Sequence, residues 1–212
     1  MIMEKLCKTA VLVLSVFTLS VYSLQIGIFI GLDDYKYTFN GNDFPQYYRY
    51  KLGFTSGILA EFYLSKYLSF EPEISYSMRG VYFCSNIYAP EIEKWVTSHY
   101  LTFPLHIKFN FPNVPFIVPY IKSGINFGFL VSAELETQST YNNAIHTTFE
   151  DFTHAINSFD YGIDSEIGLE LKASRFIPFI EADFYYGVPR PSDNSDLLYT
   201  GFELKSGIKY HF

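Results

Sequence analysis

Residues able to do chemistry are sparse in this sequence. The histidines are His99, His106, His146, His154 and His211. His146, Glu150, Asp151 and His154 lie close together, and imidazole and carboxylate groups ligate zinc or exchange protons. Their spacing matches no strong motif, and a solvated loop accounts for them. Ser98 beside His99 is the one adjacent serine–histidine pair, the kind of pair that barrel lipid hydrolases and acyltransferases use near the outer rim. His106 and His211 fall among other charges, where a hydrogen-bonded structural histidine is the simpler reading. Cys84 has no obvious activating base. The sequence therefore assigns no catalytic residue, no metal and no cofactor.

A larger set of polar residues recurs at every second position, the mark of strands with two unlike faces. From Leu198 to Phe212 one face reads Leu198, Thr200, Phe202, Leu204, Ser206, Ile208, Tyr210 and Phe212, while Glu203, Lys205, Lys209 and His211 fall on the other. Between Phe159 and Lys172, the apolar Ile163, Ile167, Leu169 and Leu171 oppose Asp160, Asp164, Glu166, Glu170 and Lys172. The same split separates Phe70, Ile74 and Met78 from Glu71, Glu73 and Arg79. It separates Leu105, Ile107 and Phe109 from His106 and Lys108. Four further segments behave alike, around Ile26–Asp33, Lys51–Phe62, Ile117–Phe129 and Ile180–Gly187. These carry Glu61, Lys122, Glu181 and Asp183 on their polar faces. The total is eight strands, the even number that bacterial membrane barrels require.

The elements that must position these side chains follow from length, leader and composition. Lys5 and Lys8 precede an uncharged run, Ala10 to Val21, and Val21 and Ser23 stand where a signal peptidase reads; this predicts a signal peptide over 1–23. The apolar run is too short for a comfortable spanning helix. Removing Glu4, Lys5 and Lys8, a net +1, takes the formal charge from −7 to −8. Cys84 would then be the one cysteine left, without a disulfide partner. Residues 24–212 are of single-domain size. An acidic balance argues against nucleic acid as a partner. Tyr (19) and Phe (22) are abundant and charged residues make up only 17%, against about 25% in soluble domains. Aromatic enrichment suits the girdles of a membrane barrel.

Connections alternate in length. Long loops are expected at Tyr35–Arg49, Tyr82–Val96 and Thr137–Ser158, and a medium one at Pro189–Asp196. Short turns are expected near Ser65–Lys66, Pro112–Pro115 and Ala173–Arg175. That alternation is the outer-membrane pattern, with long loops outside and short turns and both termini in the periplasm. The fold class is therefore all-β, an eight-stranded antiparallel up-and-down transmembrane barrel. A soluble barrel would also alternate, but with its apolar face inside. Glycine on the polar face, and an uncharged aromatic-rich apolar face on all eight strands, favour polar-in and lipid-out.

The lumen charges expected are Glu61, Glu71, Glu73, Arg79, Lys108, Lys122, Asp164, Glu166, Glu170, Glu181, Asp183, Glu203, Lys205 and Lys209, with Lys51 and Lys172 beside them. Acids and bases are read as nearly balanced. Side chains just fill an eight-stranded barrel, and an unpaired buried charge costs several kcal/mol, so a salt-bridged plug is expected. Pro72, Pro104 and Pro119 fall inside strands and predict bulges. Trp95 reads as an interfacial anchor. Asp33, Asp34, Asp43, Glu91, Glu93, Glu150 and Asp151 give the loops an acidic character suited to cations or basic partners, or simply to solubility.

Four segments in order carry a family likeness: YLTFPLHIKFNF at Tyr100–Phe111, PYIKSGINFGFLVSAEL at Pro119–Leu135, FDYGIDSEIGLEL at Phe159–Leu171 and GFELKSGIKYHF at Gly201–Phe212. The chain resembles the small outer-membrane β-barrel family of the Bacteroidota type, which includes PorT-like proteins. Its ending, with Ile208, Tyr210 and Phe212, resembles a barrel-assembly signal. The resemblance implies an outer-membrane location, lipid as surroundings and delivery by the outer-membrane insertion machinery. It also suggests a partner in a secretion or envelope assembly. The expected role is a non-enzymatic scaffold or binding barrel. A lipid-modifying enzyme, a narrow channel and a secreted lipocalin-like carrier stay open as alternatives.

Overall fold

The computed structural model describes residues 23–39, 48–84, 92–141, 144–172, 175–188 and 197–212. The expected leader before Ser23, the acidic residues Asp43 and Glu91 and the loop at 189–196 lie outside them, as does the turn at 173–174. Nine strands follow one another: β1 (Ser23–Phe39), β2 (Tyr48–Tyr63), β3 (Leu68–Cys84), β4 (Ile92–Asn110), β5 (Ile117–Tyr141), β6 (Ala144–Asp151), β7 (Phe159–Leu171), β8 (Phe176–Gly187) and β9 (Leu197–His211). Eight of them close a ring in the order β1-β2-β3-β4-β5-β7-β8-β9, and β6 pairs with β5 outside that ring. Each ladder is antiparallel, and β9 meets β1 from Gln25 opposite His211 to Phe39 opposite Leu197. The protein is an all-β, eight-stranded antiparallel barrel.

Burial settles which face is inside. Along β4, Tyr100, Thr102, Pro104, His106, Lys108 and Asn110 are buried, while Leu101, Leu105, Ile107 and Phe109 are exposed. The same inversion runs round the ring: Glu61 is 0% exposed and Ile28, opposite Ile58, is 60% exposed. In water such an apolar band would drive aggregation; in a bilayer it is the lipid-facing belt. A carrier of lipocalin type needs an apolar interior, so that alternative is corrected by the polar one found here.

The ladders differ from the sequence expectation. Strand runs into the loops expected at Tyr35–Arg49 and Tyr82–Val96: β1 continues to Phe39, β2 starts at Tyr48, and Tyr82 pairs with Trp95 and Cys84 with Glu93. The long loop expected at Thr137–Ser158 is mostly strand: β5 runs 25 residues and turns back into β6, from Glu134 opposite Asp151 to Tyr141 opposite Ala144. Ile145, Thr147, Thr148 and Phe149 favour extended backbone. No apolar face is buried there, so no alternation marked the strand. The prolines also behave differently from the bulges expected of them. Register continues across Pro72, Pro104 and Pro119, and the irregularities lie instead at Lys51/Phe54 and His99/Tyr100. Pairing lapses beside Pro72 in the β2–β3 ladder and beside Pro104 in the β3–β4 ladder, because an imide nitrogen has no hydrogen to donate. A missing rung is enough to seat a proline without an inserted residue.

Short connections close one end of the barrel. At the β2–β3 turn the Ser65 hydroxyl accepts from the Tyr67 and Leu68 amides, at 3.2 and 3.0 Å. At the β4–β5 turn the Lys172 ammonium donates to the Pro112 and Val114 carbonyls, both at 2.6 Å. At the opposite end β3, β4, β5 and β6 extend the wall on one side. A short 3₁₀ turn, Thr153–Ala155, returns the chain to β7. It packs Ile156 against Val96 and Ala133.

Candidate functional site

The strand parity that turns isoleucines to lipid turns the charges into the lumen. All fourteen lumen residues expected from the sequence are buried. In the half nearer the short turns most of their ion pairs bridge strands that are not neighbours. Lys209 of β9 donates to Glu61 of β2 at 2.7 Å, Glu71 of β3 at 2.6 Å and Glu170 of β7 at 2.8 Å. Lys108 of β4 meets Glu61 at 3.0 Å and also pairs with Glu170. One rung further in, Lys122 of β5 lies 2.6 Å from both Glu71 and Glu73, 3.2 Å from Glu166 and 3.1 Å from Glu181. Lys205 of β9 lies 3.0 Å from Glu166 and 3.5 Å from Glu73. Each ammonium serves several carboxylates, and the pairs tie one wall of the barrel to another.

Two of the expected bases are elsewhere. Lys172 is exposed at the short turn, and Lys51 is half-buried, donating to Thr97 at 2.6 Å. Asp33, read among acidic loop residues, is buried and accepts from the Ser77 hydroxyl at 3.2 Å. The expected charge balance is therefore corrected. Among the described residues ten carboxylates (Asp33, Glu61, Glu71, Glu73, Asp164, Glu166, Glu170, Glu181, Asp183, Glu203) share the interior with five lysine and arginine side chains.

Towards the long-loop end the interior is aromatic. The Arg79 guanidinium sits over the rings of Tyr35, Tyr100 and Tyr185, at 4.4, 4.7 and 5.1 Å. It donates to Asp160 at 2.9 Å, and the Tyr185 hydroxyl donates to the same oxygen at 2.7 Å. Such a cation against ring faces is a stable arrangement when desolvated. Sequence reasoning placed Arg79 in an ion-pair network and passed over these tyrosines. Their position was readable, since each shares the parity of the charged face. Between the two halves lies a small cavity, with about 10 Å³ free to a water-sized sphere, bordered by Glu73, Asn126, Asp164, Asp183, Glu203 and Lys205 among others. His106 lies beside it, fully buried, within 3.4 Å of Glu73 and Asp164 and 3.2 Å of Glu166.

The other candidate chemistry comes apart in three dimensions. Ser98 and His99 are consecutive in β4, so they point to opposite faces. Ser98 is buried opposite Arg79, whereas His99 faces outward and shares a 2.5 Å hydrogen bond with the Tyr76 hydroxyl. His146, Glu150 and Asp151 are exposed along β6 and His154 lies in the following turn. They converge on no common point; Asp151 instead accepts from the Thr153 amide at 2.9 Å. The Thr153 hydroxyl and amide beside Asp151 hold its carboxyl below the usual carboxylate range. Glu93 accepts from the Tyr82 hydroxyl at 2.8 Å, and Trp95 packs against Tyr82 with ring centres 5.2 Å apart. Of the terminal residues, Tyr210 stacks edge-on against Phe176 and Phe212, at 5.4 and 4.9 Å, and Ile208 and Phe212 are exposed.

Known proteins share this architecture. A family described as outer membrane protein beta-barrel domain matches residues 20–189. Comparison with curated protein sequences yields no match. Among solved structures, the chain is similar to the outer membrane protein OprG from Pseudomonas aeruginosa, with a TM-score of 0.53 and 11% identity over 91% of this chain and 97% of that one. It is also similar to Neisserial surface protein A, with a TM-score of 0.51 and 11% identity over 89% and 97%. At such identities the likeness concerns the fold.

Proposed function

Because the chain belongs to the outer membrane protein beta-barrel domain family, we propose that it works as a closed, non-catalytic outer-membrane barrel that presents a binding platform at its long-loop end. The observation that carries this reading is the β5–β6 hairpin. β7 follows β5 only as far as Phe129 opposite Phe159, and the β6 ladder begins beyond it, at Glu134. The thirteen residues of β5 paired with β7 already exceed the roughly 9–11 needed to cross a bilayer. The hairpin therefore stands clear of the lipid belt, yet Ile145 and Phe149 are 69% and 62% exposed on it. Among the described residues, β6 has β5 on one side and an unpaired edge on the other, and an open strand edge is a template for a partner's backbone.

The lumen supports the same reading. Ion pairs crossing between non-neighbouring strands fill the section where a channel would need water. Ser98 and His99 point to opposite faces of β4, so this adjacent pair does not act as a serine–histidine couple. By the general habit of such barrels, the hairpin faces outward and the termini face the periplasm. Insertion follows from the outer-membrane machinery reading Ile208, Tyr210 and Phe212. The partner is an envelope or secretion-assembly protein, as the PorT-like resemblance suggests. The test is affinity capture of a tagged chromosomal copy from membranes in mild detergent, with partners identified by mass spectrometry. A stoichiometric partner is expected, lost in an Ile145→Asp/Phe149→Asp variant that still inserts. A solitary barrel, or a partner retained by that variant, overturns the platform.

A further inference from the structure

Most buried carboxylates here meet a lysine or arginine; Asp164 and the Oε1 side of Glu166 face His106 instead. Both ring nitrogens of His106, Oδ1 of Asp164 and Oε1 of Glu166 lack a hydrogen-bond partner although all are buried. In a protein interior such groups are nearly always paired. Lys122 and Lys205 both meet Glu166 at Oε2, at 3.2 and 3.0 Å, and Glu166 Oε1 lies towards His106. His106 Nε2 lies 3.2 Å from Glu166 Oε1 and 3.4 Å from Asp164 Oδ2. One ligand atom from each of the three lies within 4.8 Å of the others.

Those separations suit a different bond. A tetrahedral ion with bonds of about 2.0–2.1 Å to nitrogen and oxygen has ligand–ligand edges of roughly 3.3 Å. On the far side of the ring, His106 Nδ1 lies 3.4 Å from Glu73 Oε1. A carboxylate behind the second ring nitrogen is the usual support of a metal-bound histidine. Asp164 also borders the small cavity, which has room for one water as a fourth ligand. Finally, ten buried carboxylates against five lysine and arginine side chains leave the interior short of positive charge.

We propose that the barrel lumen holds one divalent transition-metal ion, of which zinc is the representative, on His106 Nε2, Asp164 and Glu166, with Glu73 orienting the imidazole. One imidazole and two carboxylates suit a borderline ion such as zinc better than calcium, whose ligands are all oxygen. The ion is structural and enters as the barrel closes, since the surrounding side chains seal the lumen on the short-turn side. It goes beyond the binding role proposed above and does not depend on it.

The experiment is refolding of the whole barrel into detergent with Zn²⁺, followed by chelator treatment, desalting and elemental analysis. One tightly held zinc per folded chain is expected, with none in His106→Gln and full retention in His146→Gln on the exposed hairpin. Folding of each variant is read by its heat-dependent gel shift. Cobalt-loaded wild-type protein is the second measurement, independent of whether the variant folds: tetrahedral ligand-field absorption is expected. Folded wild-type protein without retained metal overturns the proposal. So does metal retained by folded His106→Gln, or cobalt with the spectrum of the hydrated ion.

Discussion

Tyr120 and Gly168 sit directly opposite each other on β5 and β7, both pointing inward, and the tyrosine ring occupies the space that a side chain on Gly168 would need. From there the Tyr120 hydroxyl donates to Glu181 at 2.6 Å, and its ring lies 4.0 Å below the Lys108 ammonium. The glycine is therefore what lets a large ring cross the narrow lumen. Gly201 does the same for Tyr35. Inward glycine opposite inward aromatic is a recognised device of curved sheets.

Gly168→Ala should accordingly destabilise the barrel by about 1–3 kcal/mol, the usual cost of overpacking. The measurement is urea unfolding from lipid vesicles. Adding Tyr120→Ala to the glycine variant should make the two costs less than additive, because the clash is then gone. Strict additivity would show that the ring does not need the glycine.

These tyrosines also indicate how far the sequence could be read. Parity assigned Glu61, Lys108, Lys209 and their partners to one face, and spatial closure of the ring did the rest, so the plug was legible. Which charges pair was not, because Lys209 and Glu71 are 138 positions apart and meet only through strand tilt and stagger. Arg79 looked like another network member from its type; its neighbours Tyr35, Tyr100 and Tyr185 come from three other strands. β6 escaped because a strand exposed on both faces has no hydrophobic period to detect. His106 looked ordinary because its companions Asp164 and Glu166 lie on a strand that is not adjacent to its own.

The return from the hairpin carries a pH dependence. Asp151 lies below its ordinary value of 3.8 through the Thr153 hydroxyl and amide. A depressed carboxyl contributes stability above its unfolded value and loses it as pH falls through the lower folded one. Exchange protection of the Thr153 amide should therefore be unchanged from neutral pH down to the ordinary value of 3.8 and fall as pH drops from there through the lower folded value. Asp151→Asn should remove the dependence. Protection already lost at mildly acidic pH would mean that another group controls the turn.

The lipid belt can be tested by depth. Ile28 points outward from the ring within β1, whereas Val114 is exposed in the β4–β5 turn at the barrel's end. Ile28→Lys should cost about 2–4 kcal/mol and Val114→Lys about 0–1 in vesicles. Equal costs at the two positions would contradict the assignment of the apolar face to lipid.

Lys209 offers the sharpest test of the plug. Its ammonium reaches three carboxylates on three strands, Glu61, Glu71 and Glu170. Lys209→Met removes that charge and leaves the carboxylates to Lys108 and Lys122. Removing one partner of a buried pair costs about 3–5 kcal/mol, so a loss of that order in vesicle unfolding at neutral pH is expected. Combining it with Glu61→Gln removes one of the stranded negative charges as well. The double variant should then be more stable than the sum of the two single changes predicts. The alternative is a water-filled lumen, in which both charges are screened. In that case Lys209→Met would cost less than about 1 kcal/mol, as exposed pairs do, and the protein would conduct ions in a planar bilayer.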